Sequence, residues 1–166
     1  MVLVFIIQIM IFLFVFIGIV KLSVLRSPVD GMFYYPKPVQ ERAVQLGLTD
    51  KKTIRRRAIV FMSLLMLALL ILPLLFTGVW SRIIDFKAAY ARILILLVAS
   101  AWFDTIVLDY LWVGKFGFWR IRGAEDLPYR KTGRQLIGKF IRLPVVYALL
   151  SIPMAYAAVR IARGLG

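Results

Sequence analysis

RRRAIVFMSLLMLALLILPLLFTGVW, residues 55–80, decides the fold. Three arginines stand directly before a run from Ala58 to Trp80 that contains no charged side chain. A helix rises about 1.5 Å per residue, so a run of this length crosses the roughly 30 Å hydrocarbon core of a bilayer. A helix also satisfies its own amide groups, which is what lets it enter oil. Pro73 interrupts the run. It removes one backbone donor and crowds the carbonyl of Leu69, which predicts a kink in the outer third.

Three further blocks read the same way. The first covers about 2–20, with Gln8 its one strongly polar residue. No basic residue precedes it, and Lys21, Leu22 and Ser23 follow it rather than a small-residue cleavage pattern, so it reads as a retained span and not as a signal peptide. The third covers about 88–112 and carries Arg92, Asp104 and Asp109. The fourth covers about 143–161, with Pro144 suited to a first helical turn and Pro153 placed to bend it. Ala148, Ser151, Ala155 and Ala158 share a face of it, a small-residue seam that lets helices approach closely. The fold class expected is all-α: a single domain, a four-helix transmembrane bundle with short cytoplasmic helices.

Composition agrees. Of 166 residues, 62% are hydrophobic, and the mean hydropathy is +0.87. There is no cysteine and no histidine. Disulfides, thiolate nucleophiles and Cys- or His-ligated metals are therefore excluded, along with the commonest general base. No metal site and no cofactor are expected. The net charge of +14 would point to nucleic acid in a soluble protein. Here the cations lie between apolar blocks, which is the signature of cytoplasmic loops facing anionic headgroups, and nucleic acid is not the expected partner.

Loop charge sets the orientation. Residues 21–57 hold nine Lys or Arg: Lys21, Arg26, Lys37, Arg42, Lys51, Lys52, Arg55, Arg56 and Arg57. Residues 113–142 hold eight: Lys115, Arg120, Arg122, Arg130, Lys131, Arg134, Lys139 and Arg142. Loop 81–87 has Arg82 and Lys87, and the tail has Arg160 and Arg163. The two rich loops are predicted to be cytoplasmic and both termini extracytoplasmic, in the plasma membrane. Trp80, Trp112 and Trp119 fit interfacial anchors.

The first basic loop is patterned. Asp30-Gly31 signals a turn, and residues 34–38 are too proline-rich for a helix. A short helix is expected from near Val39 to a stop at Gly47, then a second helix capped by Thr49 that runs into the second span. This resembles a helix-turn-helix, but a recognition helix that continues into the membrane cannot lie in a major groove. In the second basic loop, residues 115–123 alternate aromatic and basic side chains, as a short extended stretch would. From Lys131 two readings are open: an ordinary solvated basic loop, or an amphipathic helix with Leu136, Ile137, Phe140 and Ile141 opposite Arg134 and Lys139.

The polar groups inside the spans are candidate functional residues, because each is costly there. Asp104 lies twelve residues from Arg92, about 18 Å along a helix. Asp104 and Asp109 are five apart, about 140° around an α-helix. On that spacing they do not converge as paired acid–base carboxylates would. Thr105 shares a face with Asp109. The expectation is that each aspartate pairs with a loop cation and ties the loop to the bundle, with a proton or cation relay, or a headgroup-binding site, as the alternatives. Gln8 is expected to make a helix–helix hydrogen bond.

Two stretches carry a family resemblance. One is Tyr35-Pro36-Lys37-Pro38-Val39-Gln40-Glu41-Arg42, followed by Leu46-Gly47-Leu48-Thr49. The other is Phe103-Asp104 and Leu108-Asp109-Tyr110-Leu111, then Arg120-Ile121-Arg122-Gly123-Ala124-Glu125. They resemble a group of uncharacterised small four-span membrane proteins of Gram-positive bacteria. The resemblance implies a multi-pass membrane protein and no particular activity. Those proteins look to have a threonine after the glycine and a histidine further on. Here Ala124 and the absence of histidine stop any role of that histidine from carrying over.

Three functions are compatible with these residues. The first is a non-enzymatic bundle, as a monomer or a homo-oligomer, that binds lipid or a membrane partner through Arg55, Arg56, Arg57, Arg120, Arg122, Arg134, Lys139 and Arg142. The second is a small proton- or cation-coupled transporter subunit using Asp104. The third is a lipid-phosphate enzyme, for which no base and electrophile clamp can be named.

Overall fold

The computed structural model describes residues 2–113, 117–129 and 133–165. The described residues are helical, with no strand among them. α1 spans Val2–Ser23, and a 3₁₀ helix over Pro28–Tyr34 follows it. α2 is Lys37–Gln45. α3, Lys51–Leu74, runs without a break into a π-helical segment, Leu75–Trp80. α4, Phe86–Phe103, likewise continues as a π-helix over Asp104–Val113. A short 3₁₀ turn occupies Gly117–Trp119, and α5 is Gly133–Gly164. Four of these helical stretches are long and apolar enough to span a membrane: Val2–Ser23, Lys51–Trp80, Phe86–Val113 and Gly133–Gly164.

Each contains the span expected from sequence and overshoots it, because helical hydrogen bonding does not stop where hydropathy does. The correction is largest in α5. The amphipathic segment and the fourth apolar block are one continuous helix, and Pro144 sits inside it rather than in its first turn. The expected start near Lys131 lies outside the described residues, as do Lys115, Phe116 and Arg130. Pro73 also stays within its helix, and the π-segment begins two residues later.

The loop between α1 and α3 is more helical than its prolines suggested. Pro38 falls in the first turn of α2, where the missing N–H costs nothing. The glycine stop is as expected: Gly47, at φ +69°, follows the C-cap Leu46, and the amides of Gly47 and Leu48 donate to the carbonyls of Val44 and Ala43. The cap of α3 is Asp50, not Thr49. Asp50 Oδ1 accepts from Thr53 N at 2.9 Å and Oδ2 from Thr53 Oγ1 at 2.7 Å. These bonds hold its carboxyl below the usual range.

The bundle has two distinct ends. At one, here termed the hairpin end, residues 81–85 join α3 to α4, and both the start of α1 and the end of α5 lie nearby. The core of this half is mostly aliphatic, with Ile93, Leu96, Leu97 and Ala155 fully enclosed around the ring of Phe12. The seam on α5 packs here as expected: Ser151, Ala155 and Ala158 are buried, Ala148 only partly. Gly78 lies so close to it that a Cβ would stand 2.9 Å from the carbonyl oxygen of Ala158. At the other, the loop end, the core is aromatic. Tyr35, Trp119 and Tyr129 pack with Met32, Val39 and Ile54.

Trp119 is 1% exposed, at the centre of that aromatic core, and so is not an interfacial anchor. Its ring meets Tyr34, Tyr35, Trp112 and Phe118. The stretch around it is a 3₁₀ turn rather than an extended strand. Residues 35–42 and 119–123 meet here: Tyr35 Oη donates to Trp119 O at 3.0 Å, and Arg42 Nη1 to Gly123 O at 3.4 Å.

Candidate functional site

Two polar clusters are built into the long helices, one toward each end. At the loop end, Lys139 on α5 donates to Asp104 Oδ2 and to Asp109 Oδ2, the latter at 2.7 Å. The lysine is 21% exposed, Asp104 27% and Asp109 12%. An α-helical periodicity turns the two carboxylates apart. Their convergence follows from the π-winding of residues 104–113, where hydrogen bonds run five residues apart instead of four. Positions five apart, well separated on an α-helix, come near alignment, so both aspartates reach one ammonium.

The cation that pairs with both aspartates, Lys139, lies on α5 and not in a loop, so the pairing ties helix to helix rather than loop to bundle. Arg120 instead lies over the Tyr129 ring at 5.1 Å, and Arg122 is exposed. Thr105 is buried and its hydroxyl donates to the Ala101 carbonyl at 2.8 Å, a local bond. Around the cluster, Ser23 Oγ sits between the Val20 carbonyl (2.6 Å) and the Tyr34 hydroxyl (3.2 Å). Burial pushes Tyr34 up to about 12; the Ser23 hydrogen bond opposes this and the Asp104 charge adds to it. Burial and the nearby Tyr129 also push Tyr35 upward. Both phenols therefore stay neutral, and their packing is insensitive to pH below about 10, the ordinary tyrosine value.

Lys139 also forms part of a cleft of about 750 Å³ between residues 35–38 and the start of α5. Its lining is Tyr35, Pro36, Lys37, Pro38, Gln135, Gly138, Lys139 and Arg142, with three cations and no acidic side chain. A second cleft of about 490 Å³ lies on the other side of Lys37 and includes Gln40, Glu41, Lys51 and Arg55. Arg56 and Arg57 border a third, of about 350 Å³. Arg57 is also ion-paired with Asp30, which ties the 3₁₀ helix to α3. Arg134 is exposed, one turn before Ile137 and the apolar groove that Ile137 and Ile141 form with Ile106 and Tyr110.

At the hairpin end, Gln8 is fully buried. Its Nε2 donates to Phe76 O at 3.3 Å and to Ser81 Oγ at 3.1 Å, and its Oε1 accepts from Arg92 Nη2 at 2.9 Å. The Arg92 guanidinium also lies 4.4 Å from the centre of the Phe5 ring. The helix–helix bond expected of Gln8 is present. Its choice of Arg92 and Ser81 was not foreseen, since residues more than seventy positions away leave no local signal. Lys37 was counted as loop charge without a site. Its place between two prolines was the available hint, because it fixes where that side chain leaves the backbone.

Chemically, the Asp104–Lys139–Asp109 cluster is a charge-paired tie between α5 and the π-segment. Its carboxylates converge on an ammonium and not on an open reacting position. Among the described residues no group of three or more His, Cys, Asp or Glu side chains could hold a metal ion. No protein-family model, curated protein or solved structure matches the chain.

Proposed function

We propose that this chain is a four-span integral membrane protein that binds anionic lipid through its loop end, which faces the cytoplasm, with both termini on the opposite side. The observation that carries this reading is where the cations stand. Side chains such as Phe14, Ile59, Met66 and Leu149 expose large apolar areas along the helices, far more than a monomeric soluble protein tolerates. Where that surface stops at the loop end, Arg55, Arg56, Arg57, Lys139 and Arg142 line clefts. Cations at that level meet lipid phosphates.

The reading is tested by lipid retention. After extraction in neutral detergent, the chain should keep phosphatidylglycerol in preference to phosphatidylcholine. The R55Q/R56Q/R57Q variant should lose much of that preference. Equal retention of the two lipids at low salt refutes the reading. Orientation is tested separately, and the absence of native cysteine helps. A membrane-impermeant maleimide on intact cells should label Ile84→Cys in the hairpin and spare Leu48→Cys. The reverse pattern would invert the topology.

The pairing of Asp104 and Asp109 with Lys139 favours a structural tie over a proton or cation relay, since the charge a relay would move is already engaged. The reading is accordingly non-enzymatic.

A further inference from the structure

The cleft beside Lys139 has a more particular chemistry than a basic surface. We propose that it is a binding site for one phosphate group, held by Lys37, Lys139 and Arg142, and that the phosphate belongs to a phospholipid headgroup. The inference rests on the lipid-binding reading above and names the place where one lipid is held specifically.

The cations come from two separate elements and close on one space. Lys37 enters from the first residue of α2, Lys139 and Arg142 from one face of α5. Arginine and lysine hydrogen bonds to phosphate are charge-assisted, and a phosphate has enough acceptor oxygens for all three. At about 750 Å³ the cleft falls in the size range of ligand sites. Its walls are fixed before any ligand arrives. Tyr35 is anchored by its bond to Trp119 O, and Gln40 Nε2 donates to Tyr35 O at 2.8 Å. Asp104 and Asp109 hold the Lys139 ammonium, so less side-chain freedom is lost on binding. They are positioning residues.

Two more residues shape the space. Gly138 lies on the cleft-lining face, and a Cβ built there would meet nothing within 4 Å. The cleft is open at that point, and Gln135 adds an amide one turn earlier. Further along the same face of α5, one and two turns past Arg142, Val146 is 47% exposed and Leu149 67%. A headgroup in the cleft would thus sit beside the apolar surface that its acyl chains require.

The test uses the full chain in neutral detergent and native mass spectrometry. The probes are dioctanoyl phosphatidylglycerol, dioctanoyl phosphatidylcholine and inorganic phosphate. Wild type should bind one phosphatidylglycerol per chain saturably and in preference to phosphatidylcholine. Two variants attack the site differently. K37Q/R142Q removes charge, and G138L fills the cleft with the charges intact. G138L replaces an uncrowded helical glycine with a good helix former, so it should fold as wild type does. Each should weaken binding about tenfold or more, the scale of a charged hydrogen bond.

Failure to displace the lipid with millimolar inorganic phosphate supports the headgroup as the ligand. Efficient displacement shows that free phosphate is the ligand and overturns the headgroup assignment. Unchanged phosphatidylglycerol affinity in G138L overturns the cleft itself. If that happens while R55Q/R56Q/R57Q still loses lipid preference, the cleft falls and the broader function stands. If wild type shows no preference for phosphatidylglycerol, both fall together.

Discussion

The two polar clusters solve one problem in opposite ways. At the hairpin end a single cation, Arg92, is met by a neutral amide and an aromatic face, and Gln8 passes its remaining hydrogen bonds to Phe76 O and Ser81. At the loop end Lys139 is met by two carboxylates. The first cluster is held by hydrogen bonds that need geometry but little charge balance. The second is held by charge, and its geometry comes from an unusual helical winding. Polar groups between apolar helices can thus be accommodated by dipoles or by ions, and the two should fail differently when a member is removed.

The largest effect is expected at the ionic cluster. Lys139→Met removes the ammonium that both carboxylates accept from, and breaking a buried pair costs about 3–5 kcal/mol. The cluster is partly exposed, so about 2–3 kcal/mol is expected. Detergent-denaturation curves measure it. The K139M/D104N/D109N variant should regain most of the loss, because replacing the whole ionic group by neutral ones is far less costly than removing its cation alone. Failure to recover would show that the ionic cluster is not what the lysine contributes.

Gln8→Leu should cost about 1–3 kcal/mol in the same assay, since it strips a donor from the buried Phe76 carbonyl and partners from the half-buried Ser81 and Arg92. Unlike Lys139→Met, its penalty should hardly change with pH or salt, and that contrast is the sharpest test of the difference between the clusters.

Gly78→Ala should cost about 1–3 kcal/mol by pushing the π-segment away from α5 at the Ala158 carbonyl. If stability is unchanged, the two segments are not in the close contact described.

The smallest effect is expected at Asp50. Its carboxyl is held below the ordinary range by Thr53, so its contribution is present above the usual carboxylate pKa and lost as pH falls through the lowered value. Asp50→Ala should therefore speed amide exchange in the first turn of α3 at neutral pH. The difference from wild type should vanish in strong acid.

Much of the fold was legible because apolar blocks and glycine stops act locally. The block from Ala58 to Trp80 and the stop at Gly47 need no distant partner to form. The buried face of α5 was likewise legible from its small residues. The candidate site was less so. The separation of Asp104 from Asp109 was inferred from 3.6 residues per turn, and that periodicity fails in the π-segment. Trp119 was placed at an interface because tryptophans near block ends commonly sit there, but packing against Tyr34 and Tyr35 buries it.

By itself the sequence determined that four stretches would be helical and apolar, because hydropathy and backbone self-bonding are properties of each stretch alone. It also determined that the basic charge would gather between the first and second and between the third and fourth. Only the tertiary structure decided which cation meets which carboxylate. It also decided that Lys37, Lys139 and Arg142 share one cleft. Such choices depend on helical winding and on contacts between residues far apart in the chain, which no local pattern encodes.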